Sequence, residues 1–153
     1  MASNVDEQQL GLRLQEEHKA LQQLSRVLKQ HIANQPSANM GPWIEGLRAA
    51  FDRLHVHIER NIEMKTRDGY LETILNERPT LARQVEAVRN EHGQLLRMGQ
   101  GLRNDLAAIR PQDNLLVAEA CLRVQRFMNV VAQHEQRENM IVMFAFNQDL
   151  GGY

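Results

Sequence analysis

The chain has little of what staples or punctuates a small fold. Its 153 residues include one cysteine, Cys121, which rules out an internal disulfide framework and fits a reducing compartment. A lone thiol in an apolar-periodic stretch reads as a small buried residue rather than a nucleophile. Without cysteine pairs there is no thiolate set for a structural zinc site, and the remaining donors lie too far apart in sequence for a zinc finger. Aromatic residues are scarce, at 5%, and no stretch interleaves them with Lys or Arg. The 18 basic residues are offset by 19 acidic ones to a net charge of -1, so no nucleic-acid surface is expected. No run approaches the roughly 20 apolar residues of a membrane span. Met1 to Gln9 lacks the basic start and apolar core of a signal peptide. A cytoplasmic protein with no membrane contact is the expectation. Sustained period-two alternation is absent too, which excludes a strand-rich fold.

What is present is helical periodicity. Hydrophobic residues make up 42% and charged residues 24%, an ordinary balance for a globular chain, and the length fits one domain over residues 1–153. The first periodic stretch runs from about Asp6 to Ala33, with Leu10, Leu14, His18, Leu21, Leu24 and Leu28 on its stripe. Two prolines and a glycine between Asn34 and Pro42 break it. The second begins near Pro42, carries Ile44, Leu47, Phe51, Leu54, Ile58 and Ile62, and stops at Arg67-Asp68-Gly69. Tyr70 to Asn76 reads as a short helical connector closed by Arg78-Pro79. The third stretch is the most regular: Leu81, Val85, Val88, His92, Leu95, Gly99, Leu102, Leu106 and Ile109 recur by threes and fours up to Pro111. Asp113 or Asn114 can cap the fourth. That stretch carries Val117, Cys121, Val124, Met128, Val131, His134, Glu138, Ile141 and Ala145 and ends at Gly151-Gly152. Short links between long helices favour antiparallel neighbours, so the expected fold is all-α, an up-down-up-down four-helix bundle.

Each of the four helices carries a histidine on or beside its apolar stripe: His18, His57, His92 and His134. A single such histidine is more often a hydrogen-bonded core residue than a ligand. Four at comparable depth are a different matter, because imidazoles are costly to bury unless something there binds them. The chain also repeats itself weakly. Glu17-His18-Lys19-Ala20-Leu21 parallels Glu91-His92-Gly93-Gln94-Leu95, and His57-Ile58-Glu59-Arg60-Asn61 parallels His134-Glu135-Gln136-Arg137-Glu138. His134 and Glu138 project from one helical face a turn apart, so both can reach a single ion, and mixed nitrogen and oxygen donors suit iron, manganese or zinc. On the second helix, a wheel of roughly 100° per residue favours His57 with Asn61. His55 with Glu59 is the alternative pair. An Asn carbonyl can donate but is neutral, and cannot match a bridging carboxylate.

In these motifs the chain resembles the hemerythrin-like family, also called the HHE cation-binding domain. That family shows Glu-His in the first helix, His-x-x-x-Glu in the second, Glu-His in the third and His-x-x-x-Glu in the fourth. Glu17-His18, Glu91-His92 and His134-x-x-x-Glu138 fit, and Asn61 departs from the pattern. The likeness extends to the terminal segment Asn147-Gln148-Asp149-Leu150-Gly151-Gly152. It implies a four-helix bundle around a non-haem iron centre of one or two ions, with another divalent metal as an alternative. His18, His57, His92, His134 and Glu138 would be the ligands, and the centre would bind or sense dioxygen, nitric oxide, peroxide or iron. No catalytic nucleophile or substrate cleft is legible, so binding is favoured over turnover. A peroxide-consuming enzyme is a weaker reading, and Asn61 favours another alternative, a metal-free bundle serving as an interaction module.

Several residues carry plainer expectations. His31, near a helix end, faces the negative end of its own helix dipole. The seven methionines and four phenylalanines fill the core, with Met98, Phe127 and Phe144 as alternative pocket linings. Gly99 marks close helix packing or room for a small ligand, and Tyr70 a hydrogen bond near a site. Glu45, Arg48, Arg83 and Glu86 read as solvated surface.

Overall fold

The computed structural model describes residues 4–146, with side chains from residue 8 onward. The described residues form five α-helices and no strand: α1 (Asn4–Ala33), α2 (Met40–Asp68), α3 (Tyr70–Glu77), α4 (Ala82–Ala108) and α5 (Asn114–Phe146), with a 3₁₀ turn at Pro79–Leu81 before α4. None of them is long and apolar enough to cross a membrane. The expected terminator Gly151-Gly152 and the terminal segment 147–152 lie outside the described residues.

The helix boundaries have local causes. Gly69 adopts a left-handed conformation (φ 64°) and its N–H bonds to the Lys65 carbonyl, which closes α2 and opens α3. Beyond Ala108, Ile109 turns extended two residues before Pro111, where a ring with no N–H cannot continue the ladder. The connector is part of the core: Tyr70, Leu71 and Ile74 of α3 are buried.

Pairings across the helices show the long neighbours running antiparallel. Arg13 at the start of α1 meets Asp68 at the end of α2 at 2.6 Å, and Asp52 of α2 meets Arg103 of α4 at 3.2 Å. Asp105 late in α4 meets Arg123 early in α5 at 2.5 Å. The core falls into two apolar clusters. One centres on Leu47, Phe51, Leu54, Leu102, Val124 and Phe127, and the other on Leu14, Ile74, Val85, Val88 and Val142. His92 lies on α4 between Val88 and Leu95, and His134 lies on α5 between Val131 and Ile141. A buried polar layer therefore separates the two clusters.

Some expectations require correction here. Arg48 is not a solvated surface charge. Its guanidinium donates to the Leu106 carbonyl at 2.7 Å and the Ile109 carbonyl at 2.8 Å, satisfying the orphan C=O groups at the end of α4. His31 does not cap its own helix. Its ring stacks on Trp43 at 5.1 Å and its Nε2 bonds to the Trp43 carbonyl at 2.7 Å, while the Trp43 indole donates to the His31 carbonyl at 2.9 Å. This reciprocal pair clamps α1 to α2. Phe127 is fully buried, whereas Phe144, Met140 and Met64 are exposed rather than core residues.

Candidate metal centre

Three of the expected ligands meet in the polar layer. His92 on α4 and His134 and Glu138 on α5 are all buried, and one ligand atom from each lies within 4.8 Å of the others. Glu138 Oε2 is 2.9 Å from His92 Nε2 and 3.3 Å from His134 Nε2. The two rings meet edge-on, with centroids 4.9 Å apart and planes at 69°. Donors at about 2.0–2.2 Å from a common ion lie roughly 3–3.5 Å from one another, so this group could hold a metal ion. The α5 helix makes the arrangement cheap, because residues four apart stack on one face.

The site is held from outside. His134 Nδ1 lies 2.8 Å from Glu91 Oε1, and Glu91 is itself paired with Arg137. A carboxylate on Nδ1 fixes the ring orientation and leaves Nε2 for the ion, the usual support of a metal-bound histidine. Burial alone would lower the His134 pKa, but Glu138 and Glu91 outweigh it and raise it. Burial likewise pushes the Glu138 carboxyl up, yet Lys65, His134 and His92 overcome that and hold it well below the usual carboxylate range.

Lys65 has no forerunner in the sequence reading. Its ammonium lies 2.5 Å from Glu138 Oε1 and 3.0 Å from Glu17 Oε2, and only 11% of its side chain is exposed. In sequence it looks like a surface lysine in the last turn of α2, beside Arg67. Yet it stands seven residues after Ile58 and three after Ile62, on the line of the buried stripe, a periodic signal that could have found it, and its long stem carries the charge inward. Tyr70 also borders the site. Its hydroxyl is buried, and burial, followed by the charge of Glu138 and the hydroxyl's interaction with that carboxylate, pushes its pKa up. A cavity of about 290 Å³ lined by Ile62, Lys65, Thr66, Tyr70, His92 and Gly93 reaches the site from the α2–α4 side. That is ample room for a small ligand, about twice the volume that admits a benzene ring.

The other candidates sit outside the group of three. His18 on α1 pairs through Nδ1 with Glu135 Oε2 at 2.5 Å, beside a larger cavity of about 600 Å³ between α1 and α5. His57 Nε2 lies 2.8 Å from the Asn61 amide nitrogen, and its ring also bonds the Glu17 backbone carbonyl. Burial, then the Lys65 charge, lowers the His57 pKa.

His55 is the deeper of the two α2 histidines, at 1% exposure, whereas His57 is half-buried. The His55 ring stacks on Phe51 and lies over Gly99, where a Cβ would come within 2.4 Å of its Nδ1. Gly99 thus makes room for a histidine from α2, not for a ligand. Glu59 Oε1 approaches His55 Nε2 to 3.1 Å without hydrogen-bond geometry, so both ring nitrogens are unsatisfied. No family model, no curated protein and no solved structure matches the chain.

Proposed function

We propose that this chain is a non-haem iron protein of the hemerythrin-like kind, a four-helix bundle that binds iron through His92, His134 and Glu138. At that centre it binds or senses a small ligand such as dioxygen, nitric oxide or peroxide. The observation that carries the reading is the convergence of two imidazole Nε2 atoms on one buried carboxylate oxygen, with three donors and room for more. Two histidines and one carboxylate with open positions are the donor set of many non-haem Fe(II) sites. The cavity at His92 supplies access for a diatomic ligand. The four histidine-bearing motifs and the antiparallel long helices support the family likeness. Iron would displace the proton that Glu138 and Glu91 favour on His134, so uptake releases protons and weakens as pH falls.

Anaerobic loading with Fe(II), followed by desalting and elemental analysis, tests this directly. Near-stoichiometric iron is expected in the native chain, with at least a tenfold loss of affinity in His92→Leu and Glu138→Gln. Exposure to nitric oxide should then give an iron-nitrosyl absorption band. A chain that retains no iron, or variants that retain it equally, would refute the reading.

One observation favours a second reading, a metal-free interaction module: Glu138 already has a cation in Lys65. His92→Leu separates the two. A module should keep or gain thermal stability on that change. A metalloprotein should lose the metal-dependent part of its stability, about 2.7 kcal/mol at a free ion concentration one hundred times Kd.

A further inference from the structure

The two oxygens of Glu138 face different cations. Oε2 turns to the histidine pair, while Oε1 takes the Lys65 ammonium at 2.5 Å. A carboxylate that divides its oxygens in this way has the disposition of a bridge between two cation positions, one of which is filled by a side chain. The surroundings of the ammonium agree. Glu17 supplies a second carboxylate at 3.0 Å, and both carboxylates are largely shielded from water, at 13% and 4% exposure. The nitrogen donors on that side are engaged elsewhere, His57 with Asn61 and the Glu17 carbonyl, His18 with Glu135. Along α2, His57, Asn61 and Lys65 follow one another at four-residue spacing, so a single helical stripe aims all three at the Glu17–Glu138 side of the site.

We propose that Lys65 is a tethered cation standing where a second metal ion would bind, so that the chain takes up one metal ion rather than two. This rests on the metal-centre reading above and adds its nuclearity. The lysine neutralises charge as an ion would, and two buried carboxylates without it would leave a strongly negative pocket. It differs in what it offers a ligand. An ammonium donates hydrogen bonds but opens no coordination position and changes no oxidation state, so chemistry needing two redox ions is excluded.

Cobalt(II) titration, read by visible absorption and by elemental analysis after desalting, decides the matter. The native chain is expected to bind one Co(II). Lys65→Met and Lys65→Gln, which remove the charge while keeping most of the volume, should each bind two. Lys65→Arg, which keeps the charge, should bind one. Far-UV circular dichroism establishes that each variant is folded, and the glutamine variant serves if the methionine one is not. Two ions in the native chain, or one in both neutral variants, overturns the role of Lys65 and leaves the metal centre standing. No cobalt in the native chain overturns the metal centre itself, and the inference falls with it.

Discussion

Adding one methyl group at position 99 tests the packing that surrounds the site. An ideal Cβ on Gly99 would lie 2.4 Å from His55 Nδ1 and 2.6 Å from its Cε1, with Phe127 Cζ at 3.4 Å. Carbon contacts are comfortable near 3.5–4.0 Å, so the ring must retreat by about 1 Å. It has nowhere to go, because Phe51 stacks against it at 5.9 Å between centroids and the ring is 1% exposed. Overpacking of this kind costs about 1–3 kcal/mol. Alanine in place of glycine in a helix interior returns about 1 kcal/mol. Gly99→Ala should therefore destabilise by up to about 2 kcal/mol, a fall in Tm of up to roughly 8 °C for a chain of this size.

His55→Ala removes the obstacle and leaves a cavity that the new methyl group partly fills. The double variant should accordingly be more stable than the sum of the two single changes by at least about 1 kcal/mol. Urea unfolding of the four proteins closes the cycle. Additivity within about 0.3 kcal/mol, or a Gly99→Ala protein more stable than the parent, would refute the packing argument.

In chelator-treated protein, Glu138 titrates below its ordinary value of 4.5, so the unfolded chain takes up its proton first. Its contribution is complete above that pH and is lost as pH falls through the lower native pKa, so the stability gap between the native chain and Glu138→Gln should narrow below pH 4.5. A gap that widens on acidification would contradict this. Cys121 is 8% exposed and burial raises its pKa, so a thiol reagent at neutral pH should label it at least tenfold more slowly than in denaturant.

The buried stripe of α5 was legible. Its stripe from Val117 to Ala145 is buried at every expected position, His134 and Glu138 included, because its positions recur by threes and fours without a break. On α2 the expected stripe Ile44, Leu47, Phe51, Leu54, Ile58 and Ile62 is buried as well, but the deeper histidine is His55 rather than His57, and the reason is geometric. The helix packs against both α1 and α4, so its buried arc is wider than a single-face wheel allows. His55 falls on the α4 side and is swallowed, while His57 on the Glu17 side stays half-buried. Arg48, which reads as solvated surface, and Lys65, which has no role in the sequence pattern of ligands, find their partners far along the chain. Those partners lie 58 and 73 residues away, beyond the reach of any local pattern.

All three donors of the candidate centre ride on α4 and α5, a single hairpin, while the lysine opposing them arrives from α2. The chelating geometry therefore needs only half of the molecule to assemble. Docking of the other half is what delivers the competing charge. Any fluctuation that lifts α2 away strips Glu138 of its ammonium and leaves its carboxylate hungrier for an ion. Grip on an ion held there and cohesion between the two halves would thereby be set in opposition through one carboxylate.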